Sequence, residues 1–170
     1  MSPSDRPAAV QLHLLRHADA GDPGAWRGDD ADRPLSDKGR AQAERLGTFL
    51  AGIGFAPDAI LTSPKVRARQ TAEIVAAALG LGVRLEDRLA EGFDGETVDA
   101  MLADAGSPGR PVLVGHDPDF SELLGYLAGT DAVTMKKGAF ARLDVRGPVA
   151  GGNGTLRWLV PPDLLDAGRR

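Results

Sequence analysis

Two short stretches of this chain, "VQLHLL" (10–15) and "RPVLVG" (110–115), are apolar at nearly every position rather than at every second one. A strand with one wet face alternates. A strand apolar on both faces must be covered on both, as happens in the middle of a parallel sheet with helices above and below. The other segments fit around that requirement. Ser36 reads as the N-cap of a helix over about 37–52, with Leu46, Phe49 and Leu50 as its apolar stripe. "DAIL" (58–61) is a strand, and Ser63–Pro64 starts a helix that runs to about Leu79 and stops at Gly80, with Val66, Ile74, Val75 and Leu79 turned inward. "VRLED" (83–87) is a short strand, "ETVDAMLADA" (96–105) a helix, and Asp117–Pro118 begins a further helix toward Leu127. "AFARLDV" (139–145) and "TLRWLV" (155–160) alternate and flank "GGNG", the pattern of an antiparallel hairpin at a sheet edge. Strands and helices in alternation, then a hairpin, predict an α/β chain: a three-layer α/β/α sandwich with a mostly parallel central sheet. The expected layout is one domain over 10–162 behind a loose tail over 1–9.

Composition removes several function classes. A formal net charge of -4 and a pI near 5.3 argue against nucleic acid as the main partner. The absence of cysteine excludes disulfides, thiol catalysis and Cys-based zinc sites. No apolar run approaches the roughly 20 residues of a membrane span. The start, "MSPSDRPAAVQLHLL", lacks the basic opening and long apolar centre of a secretory signal, so the expected location is cytoplasmic. The Ala-, Gly- and Arg-rich usage hints at a bacterial source.

In open α/β sheets, ligands bind beyond the carboxyl ends of the strands, where helix N-termini also point. Here those ends agree with one another. The first strand ends in Arg16–His17, Arg67 falls in the first turn after the second, and the 110–115 strand ends in Gly115–His116. Guanidinium forks and free helix amides make a phosphate site in outline. In a chain without cysteine, imidazole is the plausible covalent nucleophile toward phosphorus. A second imidazole and arginines would brace the transferred group, and a carboxyl group could protonate the leaving oxygen.

The same residues carry a family resemblance. "LLRHADA" resembles the RHG motif of the histidine phosphatase superfamily, which includes phosphoglycerate mutases and acid phosphatases. "PLSDKGRAQA", "LTSPKVRARQTAE" and "VLVGHDPDF" resemble its "PLT–x–x–G", "SP–x–x–RA–x–QT" and second-histidine segments, in the family's order; with the "GNGT" hairpin the likeness spans about residues 11–160. By compactness and by motif pattern the chain resembles the SixA-type phosphohistidine phosphatases. The resemblance implies a phosphoglycerate mutase-like fold, no metal or other cofactor, and His17 as the phosphorylated nucleophile. Arg16, Arg67 and His116 would complete the phosphate pocket. Ala18 stands where the family usually has glycine, and Arg69 is not assigned to the phosphate. "DRLAEGFDGET" resembles the "L–x–E" segment that supplies a proton-donating glutamate in the mutase-like branches, which points to Glu91; the SixA-type branch generally lacks it, and Glu91 stays open between acid and surface residue.

Other polar features have plainer readings. His13 lies inside a strand and reads as a satisfied buried histidine. Asp19, Asp22 and the "GDD" run read as solvated turn formers, or as groups shaping access beside His17. Lys136 and Lys137 are either a solvated pair or an attractor for an acidic partner, and Trp26 and Trp158 read as packing. The functional expectation is a metal-independent phosphatase acting by double displacement on a phosphorylated substrate. Only about 19 residues separate Glu91 from Arg110, little room for a lid, so an open pocket suits a phosphohistidine-carrying protein. The alternatives are a broad-specificity small-molecule phosphomonoesterase, a non-catalytic phosphate-binding module, and a metal-dependent hydrolase using Asp19 and the histidines.

Overall fold

A computed structural model describes residues 9–166; the proposed tail over 1–9 lies, apart from Ala9, outside them. Six strands and four α-helices follow one another as β1 (Val10–Arg16), α1 (Asp37–Gly52), β2 (Ala59–Thr62), α2 (Val66–Leu79), β3 (Arg84–Leu85), α3 (Gly95–Asp104), β4 (Pro111–Gly115), α4 (Asp119–Ala128), β5 (Phe140–Val145) and β6 (Gly154–Val160). They form one sheet in the order β3-β2-β4-β1-β5-β6. Strands β1 to β4 run parallel, and the β5–β6 hairpin is antiparallel and forms one edge.

The two strands apolar on both faces are the central pair, β1 and β4, and each face has its own core. Leu12, Leu14 and Leu113 pack with Met101 of α3 and with Phe120, Leu124 and Leu127 of α4. Leu15, Val112 and Val114 pack with Leu46 and Leu50 of α1 and with Ala72 and Val75 of α2. The period-2 geometry of a strand assigns alternate residues to opposite layers, so His13 shares the face of Leu15. There its Nδ1 lies 3.0 Å from the Pro111 carbonyl, among the rings of Phe55, Phe140 and Trp158. It is a packing residue, with its pKa lowered to about 4, chiefly by burial.

Some expectations shift. Phe49 is 41% exposed, because α1 buries Gly39, Ala43, Leu46, Gly47 and Leu50 instead. Gly47 lies so close to Ala78 of α2 that a side chain there would collide, so the small residues face the helix contact and Phe49 is rotated to its rim. Val66, Ile74 and Leu79 are only half-buried for the same reason: the closest face of α2 is formed by Ala68, Ala72, Val75 and Ala76. Helix α2 begins at Val66, with the Ser63 hydroxyl accepting from the Lys65 amide. Trp26 is exposed on the loop after β1, where its indole N–H donates to the Asp29 carbonyl at 2.9 Å rather than packing in a core. Among the described residues, no helix is long and apolar enough to cross a membrane.

Candidate active site

Register places the chemistry. Arg16 of β1 stands level with Gly115 of β4, so His17 and His116 leave the two central strands side by side. Their rings lie 5.1 Å apart and both are nearly buried. The backbone at His17 is held from two sides: its amide donates to the Gly115 carbonyl at 2.9 Å, and its carbonyl accepts from the Gly138 amide at 2.9 Å. Gly138 takes a φ of 78°, the left-handed region open to glycine.

The Nδ1 of His17 lies 2.8 Å from the Ala18 carbonyl. A carbonyl only accepts, so Nδ1 carries the proton and Nε2 keeps its lone pair. Burial lowers the His17 pKa to about 4, and the cations Arg67, Arg16 and Lys137 add to that effect. The ring is therefore neutral at ordinary pH, with a nucleophilic Nε2. His116 places Nε2 2.8 Å from the Ser63 hydroxyl, and burial, followed by His17, Arg67 and Lys65, lowers its pKa to about 3.

Arg67 enters from the first turn of α2 and is buried although charged. Its Nη1 donates to the Asp30 carbonyl at 2.8 Å and its Nη2 to the Asp30 carboxylate at 3.0 Å. Arg33, equally buried, donates to the other oxygen of that carboxylate at 3.1 Å and to the Ala20 carbonyl at 2.7 Å. Two guanidiniums thus share one anion, and the Asp30 carboxyl is held below its usual range, first by Arg33. Asp30 occupies the end-on edge of Arg67, leaving Nε on the other edge.

Arg16 is fixed by a ring of contacts. Its Nη1 donates to the Met135 carbonyl at 2.6 Å and lies 3.5 Å from the Asp117 carboxylate. Asp117 accepts from the Ser121 hydroxyl at 2.6 Å, and that hydroxyl accepts from the Met135 amide at 2.8 Å. Thr71 joins the strand end to α2, accepting from the Ala18 amide and donating to the Arg67 carbonyl. Asp19 accepts from the Ser36 hydroxyl at 2.6 Å and lies 3.8 Å from Lys137. Gly39, the glycine of "PLSDKG", lies against the Asp19 carbonyl, which a Cβ would overlap.

Three buried nitrogens of this cluster, Arg16 Nε, Arg67 Nε and His116 Nδ1, have no hydrogen-bond partner among the described residues. Buried polar groups are normally paired, so such a convergence points to a ligand rich in acceptor oxygens. A metal fits less well: among the described residues no group of three or more His, Asp or Glu side chains is placed to hold one, and the Asp19 carboxylate is engaged by Ser36.

Four of the five residues expected from the sequence, Arg16, His17, Arg67 and His116, therefore converge. The fifth, Glu91, is exposed and makes no hydrogen bond or ion pair with them. The sequence reading gave no site role to Arg33, Asp117, Ser63 or Thr71, and took Asp30 only as part of the "GDD" run, without its bond to Arg67. Asp117 follows His116 directly and Arg33 precedes "PLS", so adjacency to a motif was an available signal for both. Nothing local distinguishes Asp30 from Asp29 or Asp32.

Comparison with known proteins identifies the family. The family model of the histidine phosphatase superfamily (branch 1) matches residues 12–110. A protein of Picosynechococcus sp. is 39% identical over 119 residues, covering 66% of this chain and 70% of that one. The 8-oxo-(d)GTP phosphatase of Mycolicibacterium smegmatis is 36% identical over 104 residues, covering 59% of this chain but only 32% of that protein. Among solved structures, the protein histidine phosphatase SixA complexed with tungstate superposes with a TM-score of 0.77 at 27% identity, over 92% of this chain and 99% of that one. SixA from Agrobacterium tumefaciens gives 0.74 at 28% identity, over 92% and 100%. The chain belongs to the histidine phosphatase superfamily, branch 1, and is a phosphatase.

Proposed function

We propose that this phosphatase works through a phosphohistidine on His17 and that its substrate is a phosphohistidine displayed on another protein. The observation that carries the mechanism is the pairing of a neutral His17, its Nε2 free, with the partnerless nitrogens of Arg16, Arg67 and His116. His17 Nε2 attacks phosphorus in line, the bond from phosphorus to the leaving atom breaks, and the leaving group takes a proton. Water then attacks the phosphorus, the P–Nε2 bond breaks, and inorganic phosphate departs. Arg16, Arg67 and His116 stabilise the charge spread over the equatorial oxygens.

Two features favour a protein substrate. The stretch between Glu91 and Arg110 forms α3, which sinks Val98, Met101 and Leu102 into the core and adds no roof. A departing imidazole is also basic enough to take a proton readily, so the exposed Glu91 need not act as a dedicated acid. The Mycolicibacterium relative, named for a nucleotide substrate, favours a second reading, a phosphatase of small molecules.

The test compares turnover of a phosphohistidine peptide with that of p-nitrophenyl phosphate, alongside rapid acid-quench trapping of labelled enzyme. The expected result is faster turnover of the peptide and an acid-labile phosphoenzyme lost in His17→Ala. Faster turnover of the ester would move the substrate to small phosphates. Full turnover by His17→Ala would overturn the mechanism.

A further inference from the structure

Beside Arg16 the surface opens into a cleft of about 870 Å³. It lies between α1, the 136–137 segment and the 3-10 turn at Pro162–Asp166. Five cationic side chains line it, Arg16, Lys38, Arg45, Lys136 and Lys137, against three acidic ones. This cationic excess stands out in a chain whose formal net charge is -4. Resting on the phosphohistidine-protein reading above, we propose that the cleft is the docking site for an acidic surface of the phosphorylated partner, with Lys38, Lys136 and Lys137 selecting substrates whose phosphohistidine is flanked by carboxylates.

The internal acids do not neutralise the cleft firmly. Lys136 meets Asp163 at 3.3 Å with both side chains about two-thirds exposed, Arg45 meets Asp166 at 3.6 Å, and Lys137 meets Asp19 at 3.8 Å. The Lys136 pair is solvated on both sides and the other two are long, so each is weak enough to exchange for an outside carboxylate. Lys38 makes no ion pair among the described residues. Arg45 also carries a buried Nε without a partner among them.

Continuity with the reacting group comes through the chain itself. Arg16 belongs both to the cleft and to the cluster around His17, and Gly138, next to Lys137, donates to the carbonyls of Arg16 and His17. An acidic segment along the cleft therefore ends beside the nucleophile. Charge of one sign in a concave site raises the capture rate of the opposite sign by about tenfold or more at low ionic strength. An apolar partner is disfavoured, since most of the lining side chains are charged.

The test uses two synthetic phosphohistidine peptides, one flanked by glutamates and one by lysines, with free phosphoramidate as a flank-less control. The wild-type protein should prefer the glutamate-flanked peptide about tenfold in kcat/KM at low salt, and the preference should shrink as salt rises. In Lys38→Glu/Lys136→Glu the preference should vanish or invert, while phosphoramidate turnover stays within about twofold, which also reports a folded enzyme. Equal hydrolysis of both peptides by the wild type, or a preference that survives the double substitution, overturns the docking site and leaves the phosphohistidine reading standing. Turnover of phosphoramidate or p-nitrophenyl phosphate with neither peptide hydrolysed overturns both.

Discussion

Replacing Asp30 with alanine removes the one carboxylate shared by two buried guanidiniums. The bond from Arg67 to the Asp30 carbonyl survives, because it is made by the backbone; the carboxylate bonds at 3.0 Å to Arg67 and 3.1 Å to Arg33 do not. Charge-assisted bonds are worth roughly 1.5–3 kcal/mol each when dry. The Asp30 side chain is 56% exposed, so water recovers much of that, and a total of about 1–2 kcal/mol is expected. For a chain of this length that corresponds to a Tm lower by about 3–6 °C. The effect on catalysis differs in kind. Without the carboxylate, Arg67 keeps its charge but loses the contact that turns its Nε edge away from the loop. Phosphate or tungstate inhibition should therefore hold or tighten by a few-fold, while kcat drops about tenfold, the equivalent of about 1.4 kcal/mol of transition-state stabilisation. Asp30→Asn, which keeps the hydrogen-bonding oxygen without the charge, should recover part of kcat. The assay is steady-state turnover of phosphoramidate with oxyanion inhibition, beside thermal unfolding. An Asp30→Ala protein with unchanged or raised kcat would refute the reasoning and make Asp30 a competitor for Arg67 rather than its guide.

Acid should unfold the protein through its histidines. His13, His17 and His116 have folded pKa values of about 4, 4 and 3 against an ordinary 6.5, so the unfolded chain binds protons first as pH falls. Stability present above about pH 6.5 is then lost toward about pH 4, on the order of several kcal/mol in all, and denaturant titrations across that range would show it. Over the range where the protein stays folded, the enzyme's own acidic limb in kcat/KM should lie near pH 4 rather than 6.5; a limb at 6.5 that does not move with the phosphoryl pKa of the substrate would mean that His17 is not desolvated. Gly39→Ala should cost more than 2 kcal/mol in urea unfolding, since its Cβ meets the backbone oxygen of Asp19 rather than a side chain that can move aside. Glu91→Gln should leave phosphoramidate turnover within about twofold; a loss of about tenfold or more would restore Glu91 as the acid for nitrogen leaving groups as well.

How far the sequence could be read depended on the range of the interaction. The doubly apolar strands β1 and β4 identified themselves as the sheet centre, because burial on both faces is written into consecutive residues. The four converging site residues were legible because a parallel sheet brings successive strand ends to one edge, so their place in the chain implies their place in space. Phe49 was misread because periodicity marks an apolar stripe but not the offset imposed by a small-residue contact such as Gly47 on Ala78. Asp30 could be read only as one member of the "GDD" run, a turn former or a group shaping access; its hold on Arg67 depends on where an unpatterned loop of some twenty residues folds back, and nothing in "GDDADR" encodes that return. The glycine of "PLSDKG" could be matched to a motif, but its reason, the Asp19 carbonyl pressed against it, needed coordinates.

The strand that leads into His17, the proposed nucleophile, is hydrogen-bonded on both sides, to β4 and to β5. A segment clamped that way opens only when the sheet itself comes apart. Asp30 sits on a surface loop, whereas Lys136 and Lys137 lie on a connection outside the ladders. Inherited change therefore falls unevenly on this protein. The proposed reaction is anchored in the clamped sheet, while two of the residues proposed to face a visiting molecule, Lys136 and Lys137, lie where the chain can drift, so descendants of this sheet can exchange clients without relearning the chemistry.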